Sequence, residues 1–131
     1  MANYNCTQKT NDFKVTDEKA YQELISLLSC EDTIENDCDI DEETGEKTFW
    51  FGAYNSIDYI DENEENNFDA WLEKLQPLLA DDSAFILIDI GNEKLRSVDG
   101  YVAIMTKNDI KYMSLSTYAE NMAKEMLGKK E

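Results

Sequence analysis

From Thr33 to Asp41 the chain alternates: Ile34, Asn36, Cys38 and Ile40 interleave with Thr33, Glu35, Asp37, Asp39 and Asp41. A two-residue period means a β-strand, because successive side chains point to opposite faces. One face of this strand carries mostly carboxylates. A sheet built around it must therefore leave that face to solvent or to a partner, which an antiparallel sheet allows and a buried parallel one does not.

The surrounding pattern fits such a sheet. Phe13 and Val15 predict a short first strand, and Thr16 or Asp17 caps a helix with Ala20, Tyr21, Leu24, Leu27 and Leu28 on one face. Glu43-Thr44-Gly45 is a turn into an aromatic strand from Thr48 to Tyr54, and Ile57 to Ile60 reads as a short third strand. A polar run, Asp61 to Asn67, precedes a helix bearing Phe68, Trp71, Leu72 and Leu75, which Pro77 ends or kinks. Ala84–Ile90, Val98–Thr106 and Ile110–Leu115 read as strands, the last pair joined by the turn Lys107-Asn108-Asp109. A Thr117…Glu120 capping box opens a final helix that presents Tyr118, Met122, Ala123 and Met126 and stops at Gly128.

Several elements recur about fifty residues apart. Leu27-Leu28 with Glu31-Asp32-Thr33 matches Leu78-Leu79 with Asp81-Asp82-Ser83; Asp39-Ile40 matches Asp89-Ile90; Ile57-Asp58-Tyr59-Ile60 matches Ile110-Lys111-Tyr112-Met113. The expected architecture is a single α+β domain over 1–131. It holds two βαββ-like repeats, about 13–56 and 57–106, and a closing strand and helix over 110–128. The sheet is expected to be largely antiparallel, with the helices on one face.

Charge then separates the chain into parts. The whole carries −17, but Glu31 to Glu73 holds sixteen acidic residues and one basic residue, Lys47, which is −15. The remainder, thirteen acidic and eleven basic, is −2. Such a field repels nucleic acid and anionic membranes and favours a partner with a basic groove. Three cysteines, Cys6, Cys30 and Cys38, form no even disulfide framework, so reduced thiols and a cytoplasmic location are expected. No secretory signal or membrane span is expected from the apolar runs.

Catalytic signals are weak. There is no His, which excludes imidazole triads, and Gly91 and Gly100 stand alone rather than in a phosphate loop. Paired carboxylates sit in polar runs rather than in a cleft of contrasting environments. Asp37-x-Asp39-x-Asp41 begins like a calcium loop, but the sixth and twelfth positions are Glu42 and Thr48 instead of Gly and Glu. The chain is accordingly not expected to be an enzyme, nor to hold a cofactor or metal. Phe49, Trp50, Phe51, Tyr54 and Tyr59 lack the Lys and Arg of a nucleic-acid stacking platform and read as a two-sided, partly covered strand. Asn92-Glu93-Lys94-Leu95-Arg96 reads as a solvated loop.

The acidic segment is the strongest candidate site. Glu35, Asp37, Asp39 and Asp41 recur at about 6.6–6.8 Å along one strand face. Glu42, Glu43, Asp61, Glu62, Glu64 and Glu65 would extend the negative surface. The spacing is comparable to that of phosphates along a DNA strand, the physical basis of DNA mimicry. The bland alternative is a solvated strand. Concentrating repelling carboxylates costs stability that spreading them would avoid, which favours a function.

Thr10 to Glu18, and Asn92 to Arg96 followed by Gly100-Tyr101-Val102, a turn and a Tyr-containing strand, resemble a family of small acidic proteins from mobile elements of gut Firmicutes. The resemblance spans most of the chain, brings no settled activity and assigns no functional residue. Its setting implies an inhibitor of host defence. The expected function is thus an acidic inhibitor of a restriction or CRISPR nuclease, with a basic, nucleic-acid-binding protein as partner. The alternative is an interaction module, immunity- or antitoxin-like, using the aromatic sheet face. Homodimerisation through an open sheet edge stays open.

Overall fold

A computed structural model describes residues 4–93 and 97–128. Eight strands and three helices run in the order β1 (Tyr4–Thr10), α1 (Glu18–Ser26), β2 (Leu28–Cys30), β3 (Glu35–Ile40), β4 (Lys47–Ala53), β5 (Ile57–Tyr59), α2 (Phe68–Leu75), β6 (Phe85–Glu93), β7 (Ser97–Thr106), β8 (Asp109–Ser114) and α3 (Leu115–Met126). Six strands form one sheet in the order β3-β4-β1-β6-β7-β8, and every neighbouring pair is antiparallel. β2 and β5 form a separate two-stranded sheet. The α+β class and the antiparallel sheet expected from sequence are present.

Two hairpins follow from their turns. At the β3–β4 turn, Asp41 accepts from the N–H groups of Glu43 and Thr44, and Gly45 takes φ +77°, a left-handed conformation that glycine adopts without strain. β7 and β8 meet across Thr106↔Asp109. The expected strand at Phe13 and Val15 is reduced to single bridges, Phe13↔Phe49 and Val15↔Leu79. The true first strand, β1, lies in the middle of the sheet.

β1 fills its central place with polar side chains that act as backbone would. Thr10 Oγ1 accepts from the buried N–H of Phe51, and Gln8 Oε1 accepts from the N–H of Ile57, tying β5 to the main sheet. Asn11 continues the ladder: its N–H donates to Ile86 O, its amide donates to Ala84 O, and its Oδ1 accepts from Ile86 N–H.

The core lies on one side of the sheet. Phe49, Phe51, Phe85, Leu87, Ala103 and Met105 point there, opposite Tyr21 of α1 and Trp71, Leu72 and Leu75 of α2. Edge-to-face contacts link Phe13 to Tyr21, Phe51 and Phe85, and Phe51 to Trp71. Trp71 Nε1 donates to Leu24 O at 2.8 Å and so joins the two helices. Asp17, not Thr16, caps α1 by accepting from Ala20 N–H, and Asn67 caps α2. Pro77 sits in a 3-10 turn, Gln76–Leu78, that finishes α2 and delivers Leu79 to the core. Leu28, expected on α1, belongs to β2.

The capping box at Thr117 is not the start of α3. Ser114 is the cap, accepting from Thr117 N–H, and the helix begins a turn earlier. Asp99 reinforces this start by accepting from Ser116 N–H and Oγ. A Cβ at the neighbouring Gly100 would stand 2.6 Å from Leu115 Cδ1 and would push that exposed side chain aside. α3 has no buried residue: Tyr118, Met122 and Met126 are exposed, Met126 by 83%. No helix among the described residues is long and apolar enough to cross a membrane.

Candidate functional site

The outer face of β3 is the most acidic surface of the sheet. Cross-strand register sets Glu35 opposite Gly52, Asp37 opposite Trp50 and Asp39 opposite Thr48, all pointing away from the core. The intervening Cys38 packs against the core, whereas Ile40 is exposed. Glu35, Asp37 and Asp39 are exposed, and β3 is an outermost strand, so its far backbone edge is unpaired in the sheet.

Asp41 departs from the expected row. It lies in the turn beyond the strand, and its Oδ1 is spent on two backbone N–H groups. Glu42 and Glu43 are exposed beside it. The second acidic group belongs elsewhere: Asp61, Glu62, Glu64 and Glu65 lie in the loop between β5 and α2. There Asp61 accepts from the N–H groups of Asn63 and Glu65. The N–H of Glu65 above all, with Asn63 and the Asn67 amide, holds the Asp61 carboxyl below its ordinary range. No hydrogen bond or ion pair among the described residues joins this loop to β3. The loop follows β5 of the small sheet, whereas Glu35, Asp37 and Asp39 lie on β3 of the main sheet.

None of these ten carboxylates is in an ion pair among the described residues. The four pairs found there are Lys14 with Glu46 and Asp82, Lys47 with Glu18, and Lys107 with Asp81. Nor do the described residues contain a group of three or more His, Cys, Asp or Glu placed to hold a metal. Lys94, Leu95 and Arg96 lie outside the described residues.

The aromatic set divides by parity. Phe49, Phe51 and Tyr59 are buried in the core, while Trp50 is half-buried on the outer face and Tyr54 is 71% exposed. Lys9 lies over the Trp50 ring with Nζ 4.7 Å from its centroid. A shallow groove of about 210 Å³ runs beside it, lined in part by Glu35, Trp50 and Tyr54.

A larger feature is absent from the sequence reading. Between α2, the core-side face of β6–β8 and α3 lies an open cleft of about 800 Å³. Its walls include Tyr101, Tyr112 and Tyr118, and it holds two carboxylates, Asp69 and Asp89. Asp89 Oδ2 accepts from the Gln8 amide at 2.9 Å, while Oδ1 is buried without a hydrogen-bond partner among the described residues. Tyr112 donates to Asp69 Oδ1 at 3.3 Å. Burial first, then Asp69 and Glu73, push the Tyr112 phenol up.

One signal for this cleft was present in the sequence. Asp89 has the parity of Phe85 and Leu87, so a carboxylate stands where the core face of β6 calls for an apolar residue. Its partners are separated in sequence and meet only through register, Asp89 opposite Tyr101 and Ala103 opposite Tyr112. No protein-family model, no curated protein and no solved structure matches this chain.

Proposed function

We propose that the chain is a protein-binding module whose contact surface is the carboxylate face of β3 with the adjoining turn, and that its partner presents a basic, nucleic-acid-binding groove. The observation that carries this is the row Glu35, Asp37, Asp39: exposed, aligned and unmatched by any described lysine. Like charges held in register on a rigid strand repel one another, and an external cationic surface relieves that repulsion. Spacing near 6.6–6.8 Å along the strand supports competition with a phosphate backbone. An inhibitor acting in the cytoplasm on a nuclease is the finer form of this reading.

Carboxylates on an outermost strand also guard it against pairing with other strands, a purely protective use. The presence of Trp50 in the same surface favours recognition, since a half-buried indole beside a groove is a common anchor in protein contacts.

The test uses the native chain and E35K/D37K/D39K as bait against a panel of purified DNA-cleaving nucleases. The expected result is that the native chain binds at least one of them and is displaced by a duplex oligonucleotide and by salt. The triple variant should not bind. Equal binding by both chains, or binding indifferent to duplex, would overturn the reading. If instead Trp50→Ala abolishes a salt-insensitive complex, the surface works as a non-mimic interaction module.

A further inference from the structure

We propose that the cleft between α2, β6–β8 and α3 binds a small aliphatic diamine in its doubly protonated form. Its volume, about 800 Å³, lies within the range of small-molecule sites. The chemistry of its lining is one-sided. Asp69 and Asp89 contribute negative charge, and among the described residues no Lys or Arg lines it. Asp89 is the more demanding group: a half-buried carboxylate with one amide donor on Oδ2 and none on Oδ1. A carboxylate partly removed from water is stabilised when its charge is matched, and the described residues supply no cation there. A cation entering from the cleft supplies the match.

The second carboxylate determines what kind of cation. Asp69 sits on the α2 wall, held by the Tyr112 hydroxyl, while Asp89 sits on β6. Two separated anionic stations call for two ammonium groups on one ligand. Leu72, Leu87 and the tyrosines line the same cleft, an apolar and aromatic surface suited to a methylene chain and to cation–π contact with ammonium ends. The overall charge of −17 raises the local concentration of such cations.

Calorimetric titration of the full chain with putrescine, cadaverine and the diols of matching chain length tests this. One diamine is expected to bind saturably with one molecule per chain, and its diol at least about tenfold more weakly. D89N and D69N should each weaken the diamine about tenfold or more, and Tyr118→Ala should weaken it without unfolding a chain in which Tyr118 is already exposed. General attraction to an acidic surface is the rival explanation. E23K/E31K, two exposed sites outside the cleft, changes the net charge from −17 to −13, since each replacement adds two. That variant should bind the diamine as the native chain does. No diamine binding, equal binding of the diols, or equal weakening by E23K/E31K and D89N would overturn the proposal. None of these variants touches Glu35, Asp37 or Asp39, so failure here leaves the nuclease test standing.

Discussion

Asp37 and Trp50 stand directly opposite each other across the β3–β4 pair, on the face turned away from the core, with the Lys9 ammonium over the same indole ring. The acidic and aromatic surfaces read separately in the sequence are therefore one surface. Lys9 touches the ring and forms no ion pair with a described β3 carboxylate.

Removing that charge should expose an edge. D37V/D39V would leave β3 flat, apolar and unpaired on its far side, the pattern that invites strand addition. Sedimentation at rising concentration should show larger species than for the native chain, with the circular dichroism of the fold retained. Unchanged sedimentation would mean that the carboxylates do not guard the edge.

Tyr21 is 1% exposed and its hydroxyl is buried without a partner among the described residues. Tyr21→Phe should stabilise the protein by about 1 kcal/mol in urea unfolding, because it removes a desolvated, unpaired group. Burial also raises the phenol pKa above its ordinary value near 10. A raised pKa means that the unfolded chain loses this proton first. The stability from the neutral phenol is complete below about pH 10 and falls as pH rises above it. Tyr21→Phe should flatten that alkaline decline; a decline of equal slope in both chains would refute the assignment.

Trp71 carries the junction of α1, α2 and the sheet, fully buried and bonded to Leu24 O. Trp71→Ala should cost about 3–5 kcal/mol, a large share of the 5–15 kcal/mol typical of a domain. Trp71→Phe should cost less, because most of the buried ring is kept and Leu24 O, which also accepts from Leu27 N–H, loses only one of its donors. Denaturant midpoints at constant m-value separate the two.

Asn11 acts as an extra rung between β1 and β6. Asn11→Ala removes both side-chain bonds, at 2.8 and 2.9 Å, and should cost about 2–3 kcal/mol. Hydrogen exchange at the Ile86 amide should accelerate beyond what the global loss explains, since Oδ1 is its acceptor.

The elements legible in the sequence were those with an apolar period. β3, β4, β6, β7 and β8 alternate visibly, and α2 shows its face through Trp71, Leu72 and Leu75. β1 was illegible because its core-side residues, Cys6, Gln8 and Thr10, replace hydrophobic burial with side-chain hydrogen bonds, which leave no periodic trace. β2 was hidden because Leu27-Leu28 continues the spacing of α1. The start of α3 was displaced because Ser114 and Thr117 are both competent caps, and Asp99, far away in sequence, reinforces the earlier start. At the candidate surface, Glu35, Asp37 and Asp39 were readable from their parity. Asp41 and the 61–65 group were not separable from them, because charge carries no information about which sheet a loop follows.

The central position of β1 bears on how the molecule assembles. The β3–β4 hairpin and the β6–β7–β8 meander each form from neighbouring residues and can condense early. In the sheet the two touch only through β1, whose pairing with β6 spans most of the chain. Closing that span costs loop entropy before any of its ladder is gained, so the β1–β6 pairing is the most non-local in the sheet and slows folding relative to the hairpins on either side.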